Sequence, residues 1–151
     1  MSPLKTEAVC LRRIDYSETS QVLHLYTRDS GKVHAIAKGS KRRRTRFNGP
    51  FDILGRYEIV RYPKPPGQLD LLTESDLLED FAPLRRDYGR FAAACYALDV
   101  VETLTVEASP DRGLYELLVS TARALADGDG LEPAILGFEC RALRVLGFFP
   151  R

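Results

Sequence analysis

The chain has 151 residues, 44% hydrophobic and 28% charged, enough for one ordinary soluble domain or two small ones with a buried core. No uncharged apolar run reaches the ~18 residues a membrane span needs, and Lys5, Glu7, Arg12 and Arg13 stand where a signal peptide would be apolar, so no membrane partner and a cytoplasmic protein are expected. The net charge of +1 conceals a split, +8 over residues 1–65 and −7 over residues 66–151, which points to one surface for an anion and another that repels it.

The first eighty residues read as strands. Thr6 to Arg13 alternates, with Val9 and Leu11 on one side and Ala8, Cys10 and Arg12 on the other, which predicts a half-buried strand. A second strand runs from Gln21 to Arg28, with Leu23 and Leu25 facing one way and Val22, His24 and Tyr26 the other. Asp29-Ser30-Gly31 turns it into a third, Lys32 to Lys38. Phe51 to Tyr62 is a long aromatic and β-branched run that predicts a fourth strand, ended by Pro63-Lys64-Pro65-Pro66-Gly67. Leu69 to Leu78 is the fifth. Five strands with short links fit a Greek-key barrel of the oligonucleotide-binding (OB) type, with an SH3-like barrel as the structural competitor.

Around Asp80 the periodicity changes. Asp87 to Val106 carries Phe91, Cys95, Leu98 and Val101 at helical spacing. Ser109-Pro110 predicts an N-cap and first helical position, followed by the stripe Leu114, Leu117, Leu118, Thr121 and Leu125. Pro133 opens a third helix in which Leu136, Cys140, Leu143 and Gly147 share a face. The fold class is therefore α+β in two segregated parts, an OB barrel over 1–80 and a helical domain over 81–151.

The concentrated chemistry is cationic. Between the third strand and Gly49-Pro50, Lys38, Lys41, Arg42, Arg43, Arg44 and Arg46 fall within nine positions, an arrangement that suits a solvated loop or a polyanion and no folded core. Arg12, Arg56, Arg61 and Lys64 extend the same basic surface. Phe47, Tyr26 and Tyr62 are the aromatic candidates for stacking on bases. Each tyrosine has barrel-wall packing as its alternative, and Phe47 the role of the loop's anchor in the core.

Catalytic readings find little support. There is no nucleophile elbow, P-loop or dinucleotide fingerprint, and Asp70, Glu74, Asp76, Glu79 and Asp80 read as a solvated acidic face. Pairing across the turn would bring His24 and His34 together, but no cysteine or carboxylate cluster at ligand spacing accompanies them. Cys10, Cys95 and Cys140 are odd in number and widely spaced, which predicts small buried residues in a reducing compartment. No enzyme, metal or cofactor is expected.

Several separate stretches then form a recognisable pattern. Leu11-Arg12-Arg13-Ile14-Asp15-Tyr16-Ser17-Glu18-Thr19-Ser20, Leu25-Tyr26-Thr27-Arg28-Asp29-Ser30-Gly31-Lys32, Ala37-Lys38-Gly39-Ser40-Lys41-Arg42 and Pro50-Phe51 resemble, in order and spacing, the N-terminal half of the bacterial RecO recombination mediators. Gly147-Phe148-Phe149-Pro150 resembles the family's segment after its helical region. The resemblance implies an OB-fold followed by a mostly helical domain that binds single- and double-stranded DNA, anneals complementary strands and, with RecR, helps load RecA onto DNA coated by the single-stranded-DNA-binding protein. It places the DNA-contacting segment on Lys38, Lys41, Arg42, Arg43, Arg44 and Arg46, implies contact with the acidic tail of the single-strand-binding protein, a nucleoid-associated place in the cytoplasm and no catalytic residue, and leaves Asp15, Tyr16, Ser17 and Glu18 as a turn. Many members continue into a four-cysteine zinc module whereas this sequence ends at Arg151, so a chain cut short and a short form both stand open. The competing functional reading is a protein-interaction adaptor whose basic loop and helices recognise an acidic peptide tail.

Overall fold

The computed structural model describes residues 2–148. Five strands come first: β1 (Leu4–Asp15), β2 (Gln21–Thr27), β3 (Gly31–Ala37), β4 (Arg56–Tyr62) and β5 (Asp70–Glu79). A short 3-10 helix, Ala82–Arg86, leads into α1 (Tyr88–Leu104), α2 (Arg112–Ala126) and α3 (Leu131–Val145). The strands close into a barrel in the order β1-β2-β3-β5-β4. Every pairing is antiparallel except β3 with β5, which run parallel over Ala35–Ala37 and Asp70–Leu72. This is the five-stranded Greek-key closure of an OB-fold.

The β2–β3 hairpin forms where the sequence demands it. Gly31 holds φ +69, a conformation that costs glycine nothing, and the Thr27 hydroxyl donates to Gly31 O at 2.8 Å while accepting from Ser30 N at 2.9 Å. Inside the barrel lie Ala8, Cys10, Leu23, Leu25, Phe51, Tyr57, Ile59 and Leu72. The other face of β1 is covered as well: Val9, Leu11 and Tyr26 pack with Leu98, Val101, Leu114, Leu118 and Phe138 of the helices. The expected half-buried strand is thus buried on both faces from Ala8 to Leu11.

Four local expectations are corrected. The fourth strand starts at Arg56, because Leu54 sits at φ 73 with its N–H bonded to Cys10 O at 2.8 Å and its side chain in the barrel–helix core. Asp111, in place of Ser109, caps α2 by accepting from Leu114 N at 3.1 Å, since the chain at Ser109-Pro110 is pressed against Gly31. On α3 the buried face is Phe138 and Ala142, and Leu136 and Cys140 are exposed; with apolar residues on two faces, spacing alone did not show which one meets α2. Cys10 is the buried cysteine, whereas Cys95 is intermediate and Cys140 exposed. The α2 stripe Leu114, Leu117, Leu118, Thr121 and Leu125 is buried throughout. Of the segment Gly147 to Pro150, Phe149 and Pro150 lie outside the described residues.

Candidate nucleic-acid interface

Leaving β3, the chain makes two tight turns, Ser40 N to Ala37 O at 3.4 Å and Arg42 N to Gly39 O at 3.0 Å, with Gly39 at φ +78. A buried amide fixes the loop's start and finish together. Gln21 Oε1 accepts from the Ser40 hydroxyl at 2.8 Å and from Phe51 N at 2.9 Å, and Gln21 Nε2 donates to Phe51 O at 3.1 Å. Gln21 and Ser40 are fully buried, so each bond is protected from water. Lys41 N donates to Thr19 O at 3.0 Å, joining the loop to the β1–β2 turn. At the far end Phe47 plugs the barrel against Phe51, ring centroids 5.7 Å apart, and bridges to Ser75.

What lies between Ser40 and Phe47 therefore faces solvent from a fixed frame. Lys38, Arg42, Arg43, Arg44 and Arg46 are exposed and make no salt bridge among the described residues. Lys41 is only partly exposed and sits 3.4 Å from Asp15. Arg12 and Lys64 are also exposed, on β1 and on the proline-rich turn. With five like charges on a short segment, repulsion is relieved most fully by a polyanion whose counterions they replace.

Two other cations have structural duties that their strand positions did not reveal. Arg61 is 7% exposed, its guanidinium 2.5 Å from Asp70 and 2.8 Å from the Ser30 hydroxyl. Arg56 lies between Glu7 at 2.6 Å and Glu79 at 2.7 Å, and Glu79 also accepts from Arg123 Nε at 3.1 Å. Both are withdrawn as nucleic-acid contacts, and Asp70 and Glu79 as parts of a solvated face. The Arg123 hydrogen bond, followed by that from Arg56, holds the Glu79 carboxyl below the usual range against the opposing effect of burial.

The aromatic candidates divide likewise. Tyr26 is fully buried beneath the helices, which pushes its phenol up to about 12, and Phe47 is a core residue; neither ring can receive a base. Tyr62 remains partly exposed. The register extends it into a stripe: Val22 pairs with Ile36, Ile36 with Leu71 and Leu71 with Tyr62, all half-buried and offset by one from the interior residues Leu23, Ala37 and Leu72. This outward apolar band crosses four strands, and Lys38 follows the end of β3 two residues after Ile36. Tyr16, expected in a turn, is 69% exposed and directly follows Asp15, whose carboxylate pairs with Lys41. Gln21, the residue that fixes the loop, was overlooked although it is a polar side chain in phase with the inward Leu23 and Leu25.

On the opposite half of the β2–β3 face, His24 and His34 do pair and stack, centroids 3.8 Å apart. The carboxylates missing from their sequence neighbourhood come from Glu102 and Glu107, at and beyond the end of α1. Burial of the Cys10 thiol raises it to about 12, leaving it inert. No helix among the described residues is long and apolar enough to cross a membrane.

The strand order, the closed barrel and the helices that follow define the class: an oligonucleotide-binding barrel with a helical region built onto its outer face. Residues 1–81 match the family model for the N-terminal part of recombination protein O, and residues 85–151 match that for its C-terminal part. The chain belongs to the recombination protein O (RecO) family. It is 37% identical to the DNA repair protein RecO of Rhodopirellula baltica, over 95% of this chain and 53% of that protein. With the DNA repair protein RecO of Anaeromyxobacter sp. strain K it shares 38% over its full length and 59% of the relative, and with that of Syntrophus aciditrophicus 32% over 97% and 56%. The chain thus spans somewhat over half the length of these curated relatives.

Proposed function

We propose that the chain is a non-enzymatic DNA-binding protein of recombinational repair, which binds single- and double-stranded DNA and promotes annealing of complementary strands. The observation that carries this is the cationic segment Arg42–Arg46, whose backbone is held at Ser40 by a buried amide and at Phe47 by the barrel core while its exposed side chains make no salt bridge among the described residues. Annealing brings two polyanions together, and fixed cations lower that repulsion with no bond made or broken. The apolar band ending at Tyr62 offers bases a stacking surface beside the loop. Family membership supports the wider role, in which RecR joins the protein to load RecA onto DNA coated by the single-strand-binding protein, whose acidic tail would compete for the same cations.

Annealing of two complementary oligonucleotides, one carrying a donor and one an acceptor dye, tests the reading. The protein is expected to speed annealing at 50 mM salt, and R42A/R43A/R44A to lose most of that rate. A triple variant as fast as the unaltered chain contradicts the proposal. Binding of an acidic peptide but not of DNA at near-physiological salt would favour the adaptor reading instead.

A further inference from the structure

The two histidines and the end of α1 make a second cluster, on β2 and β3 and apart from the basic segment, whose argument does not rest on DNA binding. His24 on β2 and His34 on β3 are cross-strand partners. Glu102, in the last turn of α1, is hydrogen-bonded to His24 Nδ1, and the carboxylate of Glu107, in the following loop, lies 2.5 Å from His34 Nδ1. Ligand atoms of His24, His34 and Glu102 all lie within 4.8 Å of one another. Two of the polar atoms there are buried and without a hydrogen-bond partner: His34 Nε2 and Glu102 Oε2. Buried lone pairs left unpaired in this way are uncommon and call for a water or an ion.

We propose that His24, His34 and Glu102 bind one divalent transition-metal ion, of which zinc fits best, at the junction of barrel and helices. The ligand set is two imidazoles and a carboxylate, the donors such an ion takes, with a fourth position left to water. The Glu107 carboxylate, 2.5 Å from His34 Nδ1, stands where a positioning carboxylate stands beside a metal-bound histidine, favouring the proton on Nδ1 and leaving the Nε2 lone pair for the metal. Parallel rings cannot both aim a lone pair at one ion, so binding opens the stack and replaces the His24–Glu102 hydrogen bond with two metal bonds. Lys32 lies 4.0 Å from Glu102 Oε2 and its ammonium donates to Glu102 O and Thr105 O, so it weakens the site by its charge without occupying the ligand lone pairs. The ion would tie β2 and β3 to α1, fixing the helices over the barrel.

The test is titration of the EDTA-stripped chain with cobalt(II), read by its visible absorption, followed by displacement with zinc, and thermal unfolding with and without zinc. One ion is expected, with the intense bands of a four-coordinate site, and a midpoint raised by zinc. H34Q should weaken zinc binding at least tenfold and E107Q about tenfold, the scale on which positioning partners act, whereas C140S should leave it unchanged. Circular dichroism of H34Q and E107Q establishes that they fold, and E107Q keeps all three ligands. Absence of binding at 100 μM zinc, or equal affinity in H34Q and the unaltered chain, overturns the proposal; so does loss of binding in C140S.

Discussion

Arg56 offers the sharpest distinction between a cation that holds the fold and one that holds DNA. Its guanidinium bridges Glu7 of β1 and Glu79 of β5, and through these reaches Tyr115, whose hydroxyl donates to Glu7 at 3.2 Å, and Arg123. The Arg56 side chain is 14% exposed and the two carboxylates 27% each. Removing one member of a fully buried pair costs about 3–5 kcal/mol and of an exposed pair about 0–1, so Arg56→Ala should cost about 2–3 kcal/mol. For a chain of this size that lowers the unfolding midpoint by roughly 5–10 °C. Arg123→Ala, at a side chain 51% exposed, should cost no more than about 1 kcal/mol. Thermal and urea unfolding followed by circular dichroism give both numbers. A cost for Arg56→Ala no greater than that of Arg123→Ala, or a flattened salt dependence of DNA binding such as a lost phosphate contact gives, would contradict a structural role for Arg56.

Two carboxylates, Glu79 of this network and Asp29 beside Thr6 and Arg112, set a pH dependence. Glu79 and Asp29 have folded pKa values below their unfolded ones, Asp29 through the Thr6 hydroxyl and then Arg112, so their contribution is complete above about pH 5 and is lost progressively as pH falls through and below about 4. The unfolding midpoint should drop there, less steeply in E79Q; equal slopes in the two proteins contradict the assignment. Gln21→Leu leaves the Ser40 hydroxyl and the Phe51 N–H and C=O without their partner, and should cost about 1–3 kcal/mol and weaken DNA binding although no cation is touched. Retained affinity would show that the loop needs no frame. Tyr62→Ala should weaken single-stranded DNA about 5- to 100-fold at unchanged stability, whereas Phe47→Ala should cost about 3–5 kcal/mol of stability; anisotropy titrations and melts separate the two. Gly31→Ala places a Cβ 2.7 Å from the Ser109 backbone in a left-handed conformation and should cost at least about 1–3 kcal/mol, which a midpoint equal to that of the unaltered chain refutes.

The hairpin of β2 and β3 was readable because alternation and Asp29-Ser30-Gly31 are local signals, and they carried the facing of His24 with His34 as well. Alternation also separated Tyr26 from Leu25, yet it says only that Tyr26 points out of the barrel. What covers that face comes from helices much later in the chain, so alternation left base stacking and wall packing both open for Tyr26, and only the tertiary structure shows the ring covered. Arg56 and Arg61 failed for the same reason: their partners Glu7, Glu79 and Asp70 are brought close by strand pairing, which sequence spacing does not display. The exposure of the basic loop was readable because it is one continuous stretch whose density of charge is itself incompatible with burial. Its frame was less visible, since a lone glutamine in phase with leucines signals a buried hydrogen-bond hub only once the groups it bonds are known.

Whether the exposed cations of the segment 38–46 track a nucleic-acid backbone is read from the salt dependence of single-stranded DNA binding. If Lys38, Arg42, Arg43, Arg44 and Arg46 each neutralise a phosphate, the slope of log affinity against log salt should be about −3.5, a loss of roughly 100-fold between 50 and 200 mM. R42A/R43A/R44A should bring the slope to about −1.5. A slope that the triple substitution leaves unchanged would place the DNA on another surface of the barrel.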